Sequence, residues 1–279
     1  VSGTAAEVLR FPRRRLTDLA WRLRHPRWAR DRTQSLDPTA TPPPPLPQSD
    51  PTQALYRYFL DQRSGLPMHK WHHYFDIYER HFAPFRGRGI SMIEIGVYRG
   101  GSLRMWRDYF GPGCRVAGID IDPACAAVAD QDISIFIGDQ ADPKFLREVL
   151  AQTGPPDIVL DDGGHDMRQQ IASFETIYPA MRTPGVYMVE DAVTSLWGDS
   201  SADTLDGSTF LDRAFACCVA LHGWTRTPRA FRRLGIPPAE RTSVVQVSEF
   251  CSNTNAITFY DSVVAFERKA RQEPWHEAR

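Results

Sequence analysis

Apolar residues fall into short dense runs, and the stretches between them carry helical spacing. Residues 90–95, 115–119, 134–137, 157–160 and 185–189 are compact apolar runs of strand length. Between the first two, Leu103, Trp106, Tyr109 and Phe110 recur at i, i+3 and i+4, which predicts a helix over 102–110. The same reading gives a short helix at 123–130, helices at 142–152 and 208–221, and a long one at 167–181 with Ile171, Phe174, Ile177 and Tyr178 inward. Strands alternating with helices predict βαβ units and a mostly parallel sheet, helices on both faces. Residues 244–247 read as a further strand, while 256–260 and 262–266 alternate and pair as an antiparallel hairpin across Asp261.

Upstream, residues 52–63 place Leu55, Tyr58 and Phe59 on one helical face. Trp71, Tyr74, Phe75, Tyr78 and Phe82 then make an aromatic stripe over 70–88, read as core and as a helical cover over one end of the sheet. His69, His72, His73 and His81 lie along it, but the adjacent pair cannot share one helix face, which argues against a metal site there. Pro38, Pro42 to Pro45, Pro47 and Pro51 make an extended linker that cannot join a helix. Before it, 1–36 hold nine arginines, with Leu16, Leu19, Ala20 and Leu23 at helical spacing. The expected organisation is an arginine-rich arm and flexible linker (1–51), a helical cover (52–89), an α/β domain (90–270) and a tail (271–279).

Composition narrows the function classes. Lys and Arg number 33 against 34 Asp and Glu, so the chain as a whole is not a nucleic-acid binder by charge. The five cysteines form no C-x-x-C pair, which suits a reducing cytoplasm. No apolar run reaches the ~18 residues of a membrane span. The arginine arm leaves open a membrane or partner contact, a transit-like segment or a plain solvated arm.

The candidate chemistry gathers where strands end. Gly96, Gly100 and Gly101 follow the first strand, and glycines let a backbone approach a ligand closely. The pattern is E-x-G-x-x-x-G-G from Glu94, not the G-x-G-x-x-G of a dinucleotide fold. Asp120 closes the second strand, where a carboxylate suits a ribose diol. Asp139-Gln140 follows the third strand and offers an acid-amide pair to adenine, or a cap to the next helix, which Asp142 can also cap. Asp161, Asp162 and His165 end the fourth strand, and Glu190-Asp191 end the fifth. Acids held close are costly unless a cation joins them, and hard oxygen donors suit Mg²⁺. The competing account is loop capping and surface salt bridging.

The glycine turn resembles motif I of class I S-adenosylmethionine-dependent methyltransferases, in which the acid before the turn contacts the cofactor's methionyl ammonium. Together, E-I-G-V-Y-R-G-G-S-L-x-M-W, G-I-D-I-D-P, L-D-D-G-G-H and V-E-D-A-x-x-S-L-W resemble the metal-dependent macrolide sugar O-methyltransferases and the cephalosporin-hydroxylase-like family. The resemblance covers about 70–268. It implies a Rossmann-like seven-stranded sheet ending in an antiparallel hairpin, with transfer of a methyl group from S-adenosylmethionine to a sugar hydroxyl. By the same resemblance Asp162, Glu190 and Asp191 hold Mg²⁺ and His165 is the general base, with Asp161 a rival ligand. Glu94, Gly96, Ser102, Asp120, Ile121, Asp139, Gln140 and Asp161 are the candidate cofactor residues. The implied partner is a small-molecule or glycosylated hydroxyl acceptor, its sugar belonging to a natural product or a polysaccharide, in a cytoplasmic enzyme whose oligomeric state is open. A hydroxylase or a non-catalytic cofactor-binding protein is the alternative. Residues 198–207 depart from the family pattern and are expected to shape the acceptor pocket.

Overall fold

The computed structural model describes residues 48–61, 65–197 and 207–278. The chain divides into two units, Val1–Leu46 and Pro47–Arg279, and everything described lies in the second. The arginine-rich arm and nearly all of the proline linker lie outside the described residues, as do 198–206 of the divergent segment.

Helices α1 (Ala54–Asp61) and α2 (Tyr74–Phe82) precede the sheet. Then come β1 (Ser91–Ile95), α3 (Gly101–Phe110), β2 (Arg115–Asp120), β3 (Ile133–Ile137), α4 (Pro143–Thr153), β4 (Ile158–Asp161), α5 (Met167–Ile177) and β5 (Gly185–Val189). Helices α6 (Phe210–Ala220), α7 (Pro228–Leu234) and α8 (Glu249–Asn253) lead to the closing pair β6 (Thr254–Phe259) and β7 (Val264–Arg268). The strands form one seven-stranded sheet in the order β3-β2-β1-β4-β5-β7-β6. All pairings are parallel except those of β7 with β5 and β6. The expected hairpin is present, shifted by about two residues. Residues 244–247 are not a strand; Val245 and Val247 instead pack beside Trp224, Leu234 and Cys251 in a small separate cluster.

Alternation along the strands decides what each face of the sheet meets. Met92, Leu160 and Met188 point to one face, against Tyr74, Phe75, Tyr78 and Phe82 of α2 and Trp106 of α3. Ile93, Val159 and Tyr187 point to the other, against Val149 of α4, Ile171 and Phe174 of α5 and Phe210 of α6. The aromatic stripe is therefore core from Tyr74 onward. Trp71 is not part of it: it precedes the helix and is 54% exposed. Trp106 sits edge-on to both Tyr78 and Phe82 with no exposure, so truncation to Ala would cost about 3–5 kcal/mol.

The helix starts follow local chemistry. Asp142 accepts the Lys144 amide and caps α4, with Pro143 at its first position. Asp166 and Gln169 form a reciprocal capping box at α5. His165 therefore does not cap that helix, and its side chain is left for other work.

Candidate active site

Sheet order reverses at β1, with β2 on one side and β4 on the other, so a crevice opens at the carboxyl ends of these strands. A cavity of ≈ 700 Å³ occupies it. Its walls include Gly96, Asp120, Asp139, Gln140, Asp162, His165, Glu190 and Asp191, so strands one to five all contribute their ends.

One end is built from backbone. Gly96 has φ +94°, and a Cβ there would stand 2.0 Å from the Asp162 carbonyl oxygen. Only glycine lets the β1 turn lie this close to the end of β4. Asp120 Oδ2 accepts the amides of Val97 (2.8 Å) and Tyr98 (3.1 Å), and its Oδ1 accepts that of Asp122 (2.9 Å). Partial burial alone would raise this carboxyl's pKa, but the three amides outweigh it and hold it below the ordinary carboxylate range. Ile121 is exposed beside it on the cavity wall, with Ser102 on the same wall.

The Asp139-Gln140 pair is divided. Asp139 Oδ1 accepts the Ala141 amide. Gln140 is buried, with Nε2 donating to Asp161 Oδ1 (3.0 Å) and Ser173 Oγ (3.1 Å) and Oε1 accepting the Gly164 amide (3.0 Å). Its amide braces the turn after β4, which leaves Asp139 as the freer member.

Alternation in β4 separates the two neighbouring acids. Asp161 is fully buried on the α5 side, bonded to Gln140 and Tyr187, and is not on the cavity wall. Burial pushes its carboxyl up to about 7. Its expected cofactor role and its rival metal role both fail on placement: it is a buried brace. Asp162 turns the other way, into the cavity.

The other end is built from charge. His165 Nε2 lies 3.7 Å from Asp162 Oδ1 and 3.4 Å from Asp191 Oδ2. Asp162, His165 and Asp191 can bring one donor atom each within 4.8 Å of one another. His165 has φ +53° and Asp191 φ +49°, uncommon backbone for such residues and a frequent mark of functional turns. Thr194 Oγ1 donates to the His165 carbonyl at 2.8 Å, tying the two turns together. Asp191 Oδ1 accepts from Tyr74 Oη (2.6 Å) and Trp71 Nε1 (3.1 Å), which leaves Oδ2 for the cavity.

Lys70 completes this end, and the sequence reading missed it. Its ammonium donates to Asp162 Oδ2 at 2.5 Å and to Glu190 Oε1 at 3.1 Å, and lies 3.6 Å from Glu94 Oε1. Glu190 also accepts from Tyr78 Oη, so the third expected metal acid stands on Lys70 and Tyr78, outside the Asp162–His165–Asp191 group. Glu94 accepts from Ser102 Oγ at 2.9 Å and sits behind Lys70, off the cavity wall. Burial works against the ammonium, yet the three carboxylates outweigh it and keep Lys70 charged. Burial raises the pKa of Glu94 and Glu190 despite Lys70. The signal for Lys70 lay in the sequence only as a lysine heading the aromatic stripe, with nothing to say it turned inward.

Four carboxylates meet one ammonium and one imidazole here, so the donor chemistry fits a hard divalent cation. His165 faces these acids with Nε2, while its Nδ1 is buried without a hydrogen bond. Two carboxylates with one histidine is not the two-histidine, one-carboxylate set of an iron oxygenase.

No family model matches the chain. Among curated proteins it is 40% identical over 157 residues to the 8-demethyl-8-α-L-rhamnosyl tetracenomycin-C 2′-O-methyltransferase of Streptomyces olivaceus, covering 52% of this chain and 41% of that protein. It is 37% identical over 152 residues to the demethylmacrocin O-methyltransferase of Streptomyces fradiae, covering 51% and 38%. Among solved structures, MycE methyltransferase of the mycinamycin pathway, in complex with Mg, SAH and mycinamycin VI, superposes with a TM-score of 0.64 at 26% identity, over 80% of this chain and 55% of that one. The chain thus spans about half or less of the length of these relatives. The resemblance to the macrolide sugar O-methyltransferases is borne out, and the fold is that of a Rossmann-like class I methyltransferase.

Proposed function

We propose that the protein transfers the methyl group of S-adenosylmethionine to a hydroxyl on a sugar of a glycosylated natural product, with Mg²⁺ at the acidic end. The observation that carries this is the Asp162–His165–Asp191 group placed in the same cavity as the Gly96–Asp120 turn. The relatives named above, all sugar or macrolide O-methyltransferases, support the substrate class, and biosynthetic enzymes of this kind suit a cytoplasmic location. Asp120, with Ile121, Ser102 and Asp139 on the same walls, is the cofactor's binding surface. Asp162 and Asp191 would hold the ion, with Glu190 the third acid of that end. When bound, the cofactor supplies a methyl group already activated on sulfur, and the ion lowers the pKa of the acceptor hydroxyl.

What remains for the chain is to orient an oxygen and take its proton. His165 Nε2 faces the space between Asp162 and Asp191, and it accepts the hydroxyl proton. Thr194 fixes the His165 backbone, so the imidazole's reach is set before an acceptor arrives. Tyr74 and Trp71 hold Asp191 by one oxygen and aim the other inward. The exposed indole of Trp71 lies at the mouth, where an acceptor's sugar ring would pass.

The test is calorimetry with S-adenosylhomocysteine and NAD, followed by turnover of a rhamnosylated tetracenomycin. Binding of the first and not the second, with turnover abolished by EDTA and restored by Mg²⁺, is the expected result. NAD binding without S-adenosylhomocysteine binding, or full turnover in EDTA, would overturn it.

A further inference from the structure

Lys70 is a buried ammonium held by acids far from it in sequence. Its partners Asp162 and Glu190 lie 92 and 120 residues away, at the ends of two adjacent strands. Alternation explains the meeting: Glu94, Glu190 and the inward turn at Asp162 all fall on the face of the sheet that the N-terminal helices cover. Asp162 gives one oxygen to Lys70 and shows the other to His165, while both oxygens of Glu190 lie within 3.2 Å of the ammonium. The acids proposed to hold an ion are thus partly taken by a cation the chain carries itself.

We propose that Lys70 is a positioning residue acting as the resident counter-ion of the acidic end, and that it competes directly with the divalent cation for Asp162 and Glu190. This rests on the ion reading above and deepens it. Two consequences follow from charge alone. Before an ion arrives, Lys70 keeps buried like charges from repelling one another, so the end stays assembled. Once an ion arrives, it meets a positive charge already bonded to one of its ligands, so its affinity is held down and its release is eased. A lysine suits this work because its ammonium is a compact point charge on a flexible stem. It can give up one carboxylate without leaving the cluster.

The experiment uses the full chain with Lys70→Met and Lys70→Gln, and Mn²⁺ as the probe. Free Mn²⁺ is read by electron paramagnetic resonance during titration, and thermal melts are taken with and without the ion. Without ion, both variants should melt below wild type. Mn²⁺ should raise their melting temperatures by more than it raises wild type's, and bind them at least about tenfold more tightly, as expected on removing a like charge at close range. Adding Asp191→Asn to Lys70→Met should erase the gain, which places it at this site. Unchanged or weaker Mn²⁺ affinity in both variants would overturn the proposal. Variants that remain unfolded in saturating Mn²⁺ would overturn it too, since the ion then cannot replace the ammonium. If wild type and both variants all fail to bind Mn²⁺, the ion reading itself falls and this one with it.

Discussion

The two ends of the cavity are made in different ways. The end at Gly96 and Asp120 is a single continuous piece of chain, β1, a tight turn, α3 and β2, and its working groups are backbone amides and one carboxylate. The end at Asp162 and Asp191 is assembled from four distant segments, and its working groups are charged side chains. The contrast extends to protonation. Amides hold Asp120 below the ordinary carboxylate range, whereas burial lifts Glu94 and Glu190 above it. A local unit satisfies its acid as it folds. An assembled unit leaves a charge imbalance, which is where a cation can act.

The largest expected effect tests whether the assembled end carries the chemistry alone. His165→Ala should cut turnover by roughly 10²–10⁴. Calorimetry should find the affinity for S-adenosylhomocysteine within experimental scatter of wild type, because the His165 imidazole faces Asp162 and Asp191 at the acidic end. A variant that loses cofactor affinity as well would show that the two ends are one unit and dissolve the comparison. An active variant would move the base elsewhere.

The second prediction asks where the ends touch. At Gly96 an added Cβ meets the Asp162 carbonyl oxygen, which is backbone and cannot rotate away, and φ is unfavourable to any other residue. Gly96→Ala should lower unfolding free energy by about 2–4 kcal/mol, read from urea denaturation. Because the displaced atom belongs to Asp162, the variant should also weaken Mn²⁺ binding. Stability within 0.5 kcal/mol of wild type, the ordinary scatter of surface changes, would deny the close approach.

This difference also explains what the sequence could say. The local end was legible because its parts are contiguous: a glycine turn between two apolar runs, with an acid closing the second, is a pattern of spacing. The sheet, its final hairpin and the inward positions of α5 followed from periodicity in the same way. At the assembled end the acids were visible, since Asp162, Glu190 and Asp191 all stand at strand ends. Their partition was not. Period two said that Asp161 and Asp162 face opposite ways, but only packing shows that Gln140 and Tyr187 claim the first and Lys70 the second. Lys70 and Trp71 were hidden for the same reason. They precede α2 rather than continue it, so helical periodicity assigned Trp71 to the core and said nothing of the lysine beside it.

The smallest effect sharpens the protonation contrast, at the local end and away from the acids proposed to hold an ion. Asp120 has a folded pKa below its unfolded one, so the folded state binds fewer protons than the unfolded state as pH falls toward that range. The sign follows. Its stabilising contribution is fully present above the unfolded value of ~3.9, and it is lost as pH drops through the lower, folded value. Asp120→Asn removes the titration and weakens the three amide contacts together. Wild type should therefore be the more stable protein at pH 6, and its advantage over Asp120→Asn should shrink steadily below about pH 4. Urea denaturation of both proteins from pH 6 to pH 3 reads this directly, because acid effects common to the rest of the chain cancel in the difference. Asp120 is only partly buried on the cavity wall, where solvent screens its charge, so the change is small compared with that at Gly96. A constant difference across the range would mean that the amides hold Asp120 by shape and not by charge, and the local end would then contribute no titrating group of its own.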